Sequence, residues 1–390
     1  MKISLIQPGR NNLKYLKWAY AAIRKNQGSH DVEICVADDA STDGTWDWCE
    51  EMMAKDDKFK AILNDTGKRL GHTILYDRLV NEVATNDIAM IYHADMYLAP
   101  GALDAIEELI EPKTIVSLTR IEPPLHPQGP EKILWAGGVE PEEFLEEEFL
   151  AEMPKFVDDK KTTEGIFAPW AFYRKDFQEI GGHDPLYAPQ SKEDSDIFNR
   201  FQLNGVKFIQ TWKGFVYHLT SRGSRRNTLD KAVDIYQDSP EWLAQNMRST
   251  RNFIRKWGHF VMHDTLLKPI VPPKYNVGIR INNANPNLLH SLEPWCDCIC
   301  VDIPIDDYIK TEQVNTVIDL SERVHSLSHI CATDIIIDID GGTFKNEDFS
   351  IIQQFSQIIE SQGVIGAFAL GNLKVTINRL ETYTDKLIKL

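Results

Sequence analysis

The sequence predicts an α/β protein: a mostly parallel, twisted sheet flanked by helices, followed by a second, smaller α/β domain. Three observations carry that prediction. Short apolar runs alternate with longer amphipathic ones through the first part of the chain, the βαβ order that lays strands side by side with helices on both faces. Two of the apolar runs stop at acidic residues, Asp38-Asp39 and His93-Ala94-Asp95. Three prolines between Lys268 and Lys274 then interrupt the pattern, and it restarts beyond them.

Taken in order, residues 2–7 read as a strand and 11–25 as a helix, with Leu13, Leu16, Tyr20 and Ile23 at helical spacing. Strands are expected over 32–37, 59–63, 88–92 and 114–118, and helices over 45–54, 73–84 and 101–110. Residues 122–163 break the rhythm with prolines, a Gly137-Gly138 pair and an acidic run, as functional loops do. Helix returns over 193–203, strands follow near 207–210 and 214–218, and a basic helical stretch runs to about His263. The expected division is a catalytic domain over 1–267, a linker over 268–274 and an accessory α/β domain over 275–390. Its strands are expected near 277–281, 298–303, 335–339 and 365–370.

Composition bounds the partners. The chain has 390 residues, too many for one ordinary core, with 43% hydrophobic and 26% charged residues and a formal charge of −16. That acidity disfavours general binding to nucleic acid or anionic lipid. The first apolar run is broken at Pro8, so it reads as a strand rather than a leader, and no stretch approaches the roughly 18 apolar residues of a membrane span. Six cysteines are sparse. Cys296, Cys298 and Cys300 alternate, which places them on one strand face, read as reduced and buried in preference to a disulfide or metal cluster. A cytoplasmic location follows from these features.

Four segments carry chemistry. Asp38-Asp39, before the Asp43-Gly44 turn, offers carboxylates to a ribose or base edge at a strand end; a turn with a helix cap is the plain alternative. His93-Ala94-Asp95 offers two ligands one residue apart at a strand end, carboxylate suiting Mg²⁺ or Mn²⁺ and imidazole tolerating Mn²⁺ better; a core histidine is the alternative. Glu193-Asp194 opens a helix after Gly181-Gly182, a turn expected to bring the chain close to substrate. Its carboxylates suit a general base, or simply a helix dipole. His218 ends a strand and could complete a metal site, and the Arg222, Arg225, Arg226 cluster on a Gly/Ser loop could clamp a diphosphate.

The order and spacing of these motifs closely resemble the family 2 glycosyltransferases of the GT-A nucleotide-sugar-binding fold. Asp38, Asp39 and Asp43-Gly44-Thr45 match the family's first acidic turn. His93-Ala94-Asp95 with Pro100 matches its DxD motif, His93 replacing the first aspartate. Gly181-Gly182, Asp184 and Glu193-Asp194 match its acceptor segment, and His218 its late metal-binding histidine. The resemblance covers about residues 1–225. It implies an inverting, metal-dependent transfer of a sugar from a nucleotide-sugar donor, a UDP-sugar, to a hydroxyl acceptor on a sugar, lipid-linked glycan, protein or modified nucleic acid. Asp194 is then the base, with Glu193 orienting it. The donor set is Pro8, Asp38, Asp39, Arg69, His93, Ala94, Asp95, Arg222 and Arg225. The metal set, for Mn²⁺ or Mg²⁺, is Asp95, His218 and His93.

Rival readings are weaker on the residues. A nucleotidyltransferase would need a Gly-rich basic phosphate loop, and the segment from Gln7 to Asn12 has one glycine and one arginine. A non-catalytic sugar- or partner-binding protein with a decayed transferase fold draws support from His93, but Asp95, Glu193-Asp194 and His218 are kept. A transferase acting on a hydroxylated DNA base would use the arginine loop against the strand, which the net charge disfavours. Residues 335–343, with two aspartates and a Gly-Gly pair, superficially resemble a phosphatase aspartate loop but read better as a strand and tight turn.

Overall fold

The computed structural model describes residues 1–220 and 238–390. It divides into two compact units, one of residues 1–244, 263–270 and 390, the other of 245–262 and 271–389.

In the first unit the strands are β1 (Lys2–Gly9), β2 (Asp31–Asp38), β3 (Phe59–Leu63), β4 (Ile88–Ile91), β5 (Met96–Leu98), β6 (Thr114–Glu122), β7 (Lys132–Leu134), β8 (Thr162–Thr163), β9 (Trp170–Tyr173) and β10 (Lys207–His218). Helices α1 (Leu13–Asn26), α2 (Thr45–Lys55), α3 (His72–Arg78), α4 (Ala102–Glu107), α5 (Glu146–Glu152), α6 (Arg174–Glu179) and α7 (Glu193–Leu203) connect them. β1 and β2 are buried almost throughout, without alternation, as strands covered on both faces must be.

The sheet runs β3-β2-β1-β4-β9-β6-β10-β5. The expected parallel pattern holds from β3 to β4. Beyond β4 the sheet is mixed: β9 runs antiparallel between β4 and β6, and β5 antiparallel to β10. The cause is the long segment after β6, which returns the chain from the opposite end instead of through a crossover helix. That segment is also less irregular than expected, since it contains β7, α5 and β8. The two strands expected near 207–210 and 214–218 are one strand with a register shift between Thr211 and Phe215.

The second unit is built on β11 (Val277–Asn282), β12 (Cys298–Val301), β13 (Val324–Ser326), β14 (Ile335–Asp340), β15 (Gly366–Leu370) and β16 (Leu373–Ile377), ordered β13-β12-β11-β14-β16-β15. Ile279, Ile281, Ile299, Ile337 and Val375 form its core with Leu289 and Ile352. These last two come from α9 (Pro286–Leu292) and α11 (Asn346–Gln353), numbered after α8 (Pro240–Trp257) and with α10 (Asp306–Glu312) between them.

The units depart from the expected boundary. From Gln245, α8 belongs to the second unit rather than to a domain ending at 267. Apolar packing and charge pairing both tie it there: Ile254 lies in the core of the second unit. Arg255 is fully buried and its guanidinium lies 2.7 Å from the buried Glu293 carboxylate, while also bonding Glu312; Arg251 reaches Glu312 at 2.8 Å and Glu293 at 3.5 Å. A buried arginine needs such partners, and both acids lie beyond the prolines. Burial alone would raise the Glu293 pKa, but Arg255, Arg323 and Arg251 outweigh it and hold it down to about 2.

The cysteine expectation also needs correction. Cys298 is disulfide-bonded to Cys331. Cys296 lies before β12 begins and packs in the main core, apart from the cluster of Cys298, Cys300 and Cys331. Residues 335–343 are strand β14 and a turn, in which the Asp340 carboxylate accepts from the Asn283 amide and the Gly342 N–H.

Candidate active site

A cleft of about 320 Å³ lies beyond the carboxyl ends of β1, β2 and β4, where such sheets bind ligands. Pro8 and Gly9 from the end of β1, Asp39 after β2 and His93-Ala94-Asp95 after β4 form one wall. Arg69, Gln190, Ser191, Glu193, Asp194, His218 and Thr220 converge from later elements. Thus Pro8, Asp39, Arg69, His93, Ala94, Asp95, Glu193, Asp194 and His218 meet in one place although spread over more than half the chain. Asp38 is not among them: it is buried, with one carboxylate oxygen accepting from the Ser41 N–H. Strand alternation sends Asp38 and Asp39 to opposite sides. Arg222 and Arg225, with Arg226, lie outside the described residues.

Asp39 is held by three protein donors, the Asn64 amide at 2.6 Å and the backbone N–H groups of Leu70 at 2.9 Å and Gly71 at 2.8 Å. It therefore folds the loop bearing Arg69 against the strand end. Gly71 has φ +80°, and a Cβ there would lie 2.0 Å from the Pro189 carbonyl oxygen, so only glycine lets the two loops touch. Arg69 crosses the same junction and donates to the Gln190 side chain at 2.6 Å.

The ligand atoms of His93, Asp95 and His218 lie within 4.8 Å of one another. His218 is buried; its Nε2 is 3.5 Å from Asp95 Oδ2 and its Nδ1 2.9 Å from Glu122 Oε1. Burial disfavours its charged form, but Asp95 and Glu122 outweigh burial and push it up to about 9. Glu122 is itself buried, and the cations of His218, Arg120 and Lys132 overcome burial to hold it ionised. Two imidazoles and a carboxylate, one imidazole oriented by a buried carboxylate behind it, are the donor set of a divalent cation such as Mn²⁺. The residues present therefore fit a metal.

Glu193 and Asp194 open α7 after two consecutive non-glycine residues with positive φ, Ser191 at +78° and Lys192 at +74°. Such backbone costs on the order of 1–3 kcal/mol per residue and persists where surrounding structure imposes it. Glu193 is 7% exposed, and its Oε2 is buried without a hydrogen-bond partner. Burial and then the neighbouring Asp194 raise its pKa well above the carboxylate range. Asp196 faces away, paired with Arg200 at 2.7 Å. Gly181-Gly182 does not reach the cleft. A Cβ on Gly182 would lie 2.1 Å from Asp77, so that turn packs on α3.

Several residues here carry no local sequence signal. Glu122 lies beyond the expected strand of 114–118, at the end of the longer β6. His72 and Tyr76 lie one turn apart on α3 and face the cleft. Burial, then His93 and Arg69, lower His72 to about 4, so it is a neutral imidazole. Burial and the charges of Asp194, Glu193 and Asp95 raise Tyr76, which stays a phenol. Their helical spacing with Leu75 and Leu79 reads as core, and no local signal separates them from it.

A mixed α/β sheet with acidic strand ends and a carboxylate helix start around one cleft defines the GT-A class of glycosyltransferases. Residues 4–181 match the model of the family described as Glycosyl transferase family 2. No curated protein matches the chain. Solved structures similar to it include the mannosyltransferase PcManGT from Pyrobaculum calidifontis in complex with GDP-Man and Mn²⁺, at 20% identity and TM-score 0.40, covering 56% of this chain and 57% of that one. GalNAc-T7 with UDP, GalNAc and Mn²⁺ aligns at 12% identity and TM-score 0.45, covering 66% of this chain and 51% of that one. S. aureus TarS 1-349 aligns at 16% identity and TM-score 0.42, covering 65% and 66%. Among the described residues no helix is long and apolar enough to cross a membrane.

Proposed function

We propose that the first unit transfers a sugar from a UDP-sugar to a hydroxyl acceptor with inversion, using a divalent cation held by Asp95, His218 and His93. The observation that supports this most is the convergence of that ligand set and the Glu193-Asp194 pair on one cleft. Mn²⁺ or Mg²⁺ bound there would neutralise charge on the leaving diphosphate. Asp39 and Pro8 line the nucleoside side, and Arg69 adds a positive charge for the diphosphate. Asp194, partly exposed to the cleft, takes the proton of the acceptor hydroxyl as its oxygen attacks the anomeric carbon. Glu193, whose pKa is raised by burial, orients Asp194 or the acceptor instead of competing as a base.

The test is a screen of nucleoside-diphosphate sugars for nucleoside-diphosphate release with and without Mn²⁺. Release of UDP from a UDP-sugar that requires the metal is the expected result. Release only from another nucleotide's sugars would overturn the donor, and undiminished release in chelator the metal.

A further inference from the structure

The second unit holds a cluster of cysteine and histidine side chains that the transfer reaction does not use. We propose that Cys298, Cys300, Cys331 and His325 form a tetrahedral Zn²⁺ site, for which the Cys298–Cys331 disulfide is the oxidised, metal-free form.

The topology brings these residues together from three places. Cys298 and Cys300 stand two apart on β12 and so project to the same face. His325 lies on β13 opposite Cys300 in the parallel register. Cys331 follows β13 on a loop that lies flat on β11: a Cβ on Gly278 would sit 3.2 Å from Cys331 Cβ and 2.4 Å from Thr333 Oγ1. The sulfurs of Cys298, Cys300 and Cys331 lie within 4.8 Å of one another, as do those of Cys298 and the ring nitrogens of His325 and His329. Cys300 Sγ is 3.3 Å from Cys331 Sγ although it belongs to no disulfide. Zinc bonds of about 2.0–2.3 Å place tetrahedral ligand atoms just under 4 Å apart, near the Cys300–Cys331 separation, whereas the bonded sulfurs of Cys298 and Cys331 must part to seat the ion.

One ring nitrogen of His325 is held by the backbone. His325 Nε2 lies 3.1 Å from the Glu322 carbonyl oxygen. A carbonyl only accepts, so Nε2 carries the proton and Nδ1 keeps its lone pair, the backbone-anchored arrangement of metal-binding histidines. His329 stacks on it with ring centroids 3.8 Å apart and is exposed. The soft, thiolate-rich set selects zinc over the hard cations suited to the sugar-transfer cleft.

Interconversion needs a thiol reductant. Two R–SH molecules reduce the disulfide, giving RS–SR and the thiols of Cys298 and Cys331. Zn²⁺ then displaces the three cysteine protons to solvent and binds as the trithiolate. The ion would clamp the edge strand β13 and its neighbour β12 to the loop at Cys331.

Co²⁺ is the probe, added to the full chain after reduction with excess thiol and removal of the reductant under anaerobic conditions. The expected result is one equivalent that develops a thiolate-to-cobalt charge-transfer band, bleached by one equivalent of Zn²⁺. Among the described residues no cysteine lines the sugar-transfer cleft, so that cleft does not produce the band. The oxidised chain should not develop it, Cys300→Ser should lose it, and His325→Ala should weaken Co²⁺ binding about 10-fold or more. Cys300→Ser leaves the disulfide pair intact, and circular dichroism of each sample verifies its fold. A reduced, folded chain with free thiols and no band would overturn the site. So would a band that survives Cys300→Ser, or one lost in His329→Ala and unchanged in His325→Ala.

Discussion

His218 Nδ1 donates to Glu122 Oε1 across 2.9 Å, both side chains buried, which turns Nε2 toward Asp95. The carboxylate fixes the tautomer, so Glu122 acts on the cleft through the histidine as a positioning residue. Glu122→Gln should lower Mn²⁺ affinity about 10- to 100-fold and raise the metal concentration needed for turnover, with kcat at saturating Mn²⁺ nearly kept. Titration of activity against Mn²⁺ reads this. An unchanged metal optimum would detach Glu122 from the site.

Removal of the cation with EDTA should abolish transfer, and Mn²⁺ should restore it. Asp95→Asn and His218→Ala should each resist that restoration. Full activity of either variant would move the metal to other ligands.

Asp194→Asn keeps the shape of the side chain and removes its basicity. It should lower kcat by about 10²–10⁴-fold while leaving UDP and metal binding nearly intact by calorimetry. Glu193→Gln mimics the protonated acid and should be far milder. If the effects are reversed, Glu193 is the base.

Asp39→Ala removes the acceptor for the Asn64 amide and two backbone N–H groups. UDP affinity should fall, and stability should fall with it by about 1–3 kcal/mol, because those buried donors lose their partner. Calorimetry and thermal unfolding of one sample separate the effects. Unchanged UDP affinity would take Asp39 out of the nucleoside site.

Arg255→Met should destabilise the second unit by about 3 kcal/mol, since it strips a buried guanidinium from Glu293 and Glu312. The pH dependence has a defined sign. Glu293 has a folded pKa near 2, below its ordinary 4.5, so its contribution is present above 4.5 and is lost as pH falls toward 2. Acid unfolding of Glu293→Gln should therefore be shallower than wild type over that window. Parallel profiles would show that other carboxylates govern acid stability.

Local periodicity made β1 to β4, α1, α2 and α7 legible, because each is long enough for its apolar spacing to report the face it buries. The positions of Asp39, Asp95, Glu193-Asp194 and His218 followed, since strand ends and helix starts are themselves local features. Other features depend on partners distant in sequence. β9 is set by antiparallel pairing with β4 and β6, and Glu122 matters through a histidine 96 residues away. His72 and Tyr76 look like ordinary core positions until α3 is seen to line the cleft. Arg255 belongs with acids 38 and 57 residues downstream, and Cys298 with a cysteine 33 residues on. The sequence by itself determined the elements and the chemical types at their ends. Only the tertiary structure decided which of those ends meet, because burial of a charge or a thiol is resolved by whichever partner the packing brings within bonding distance.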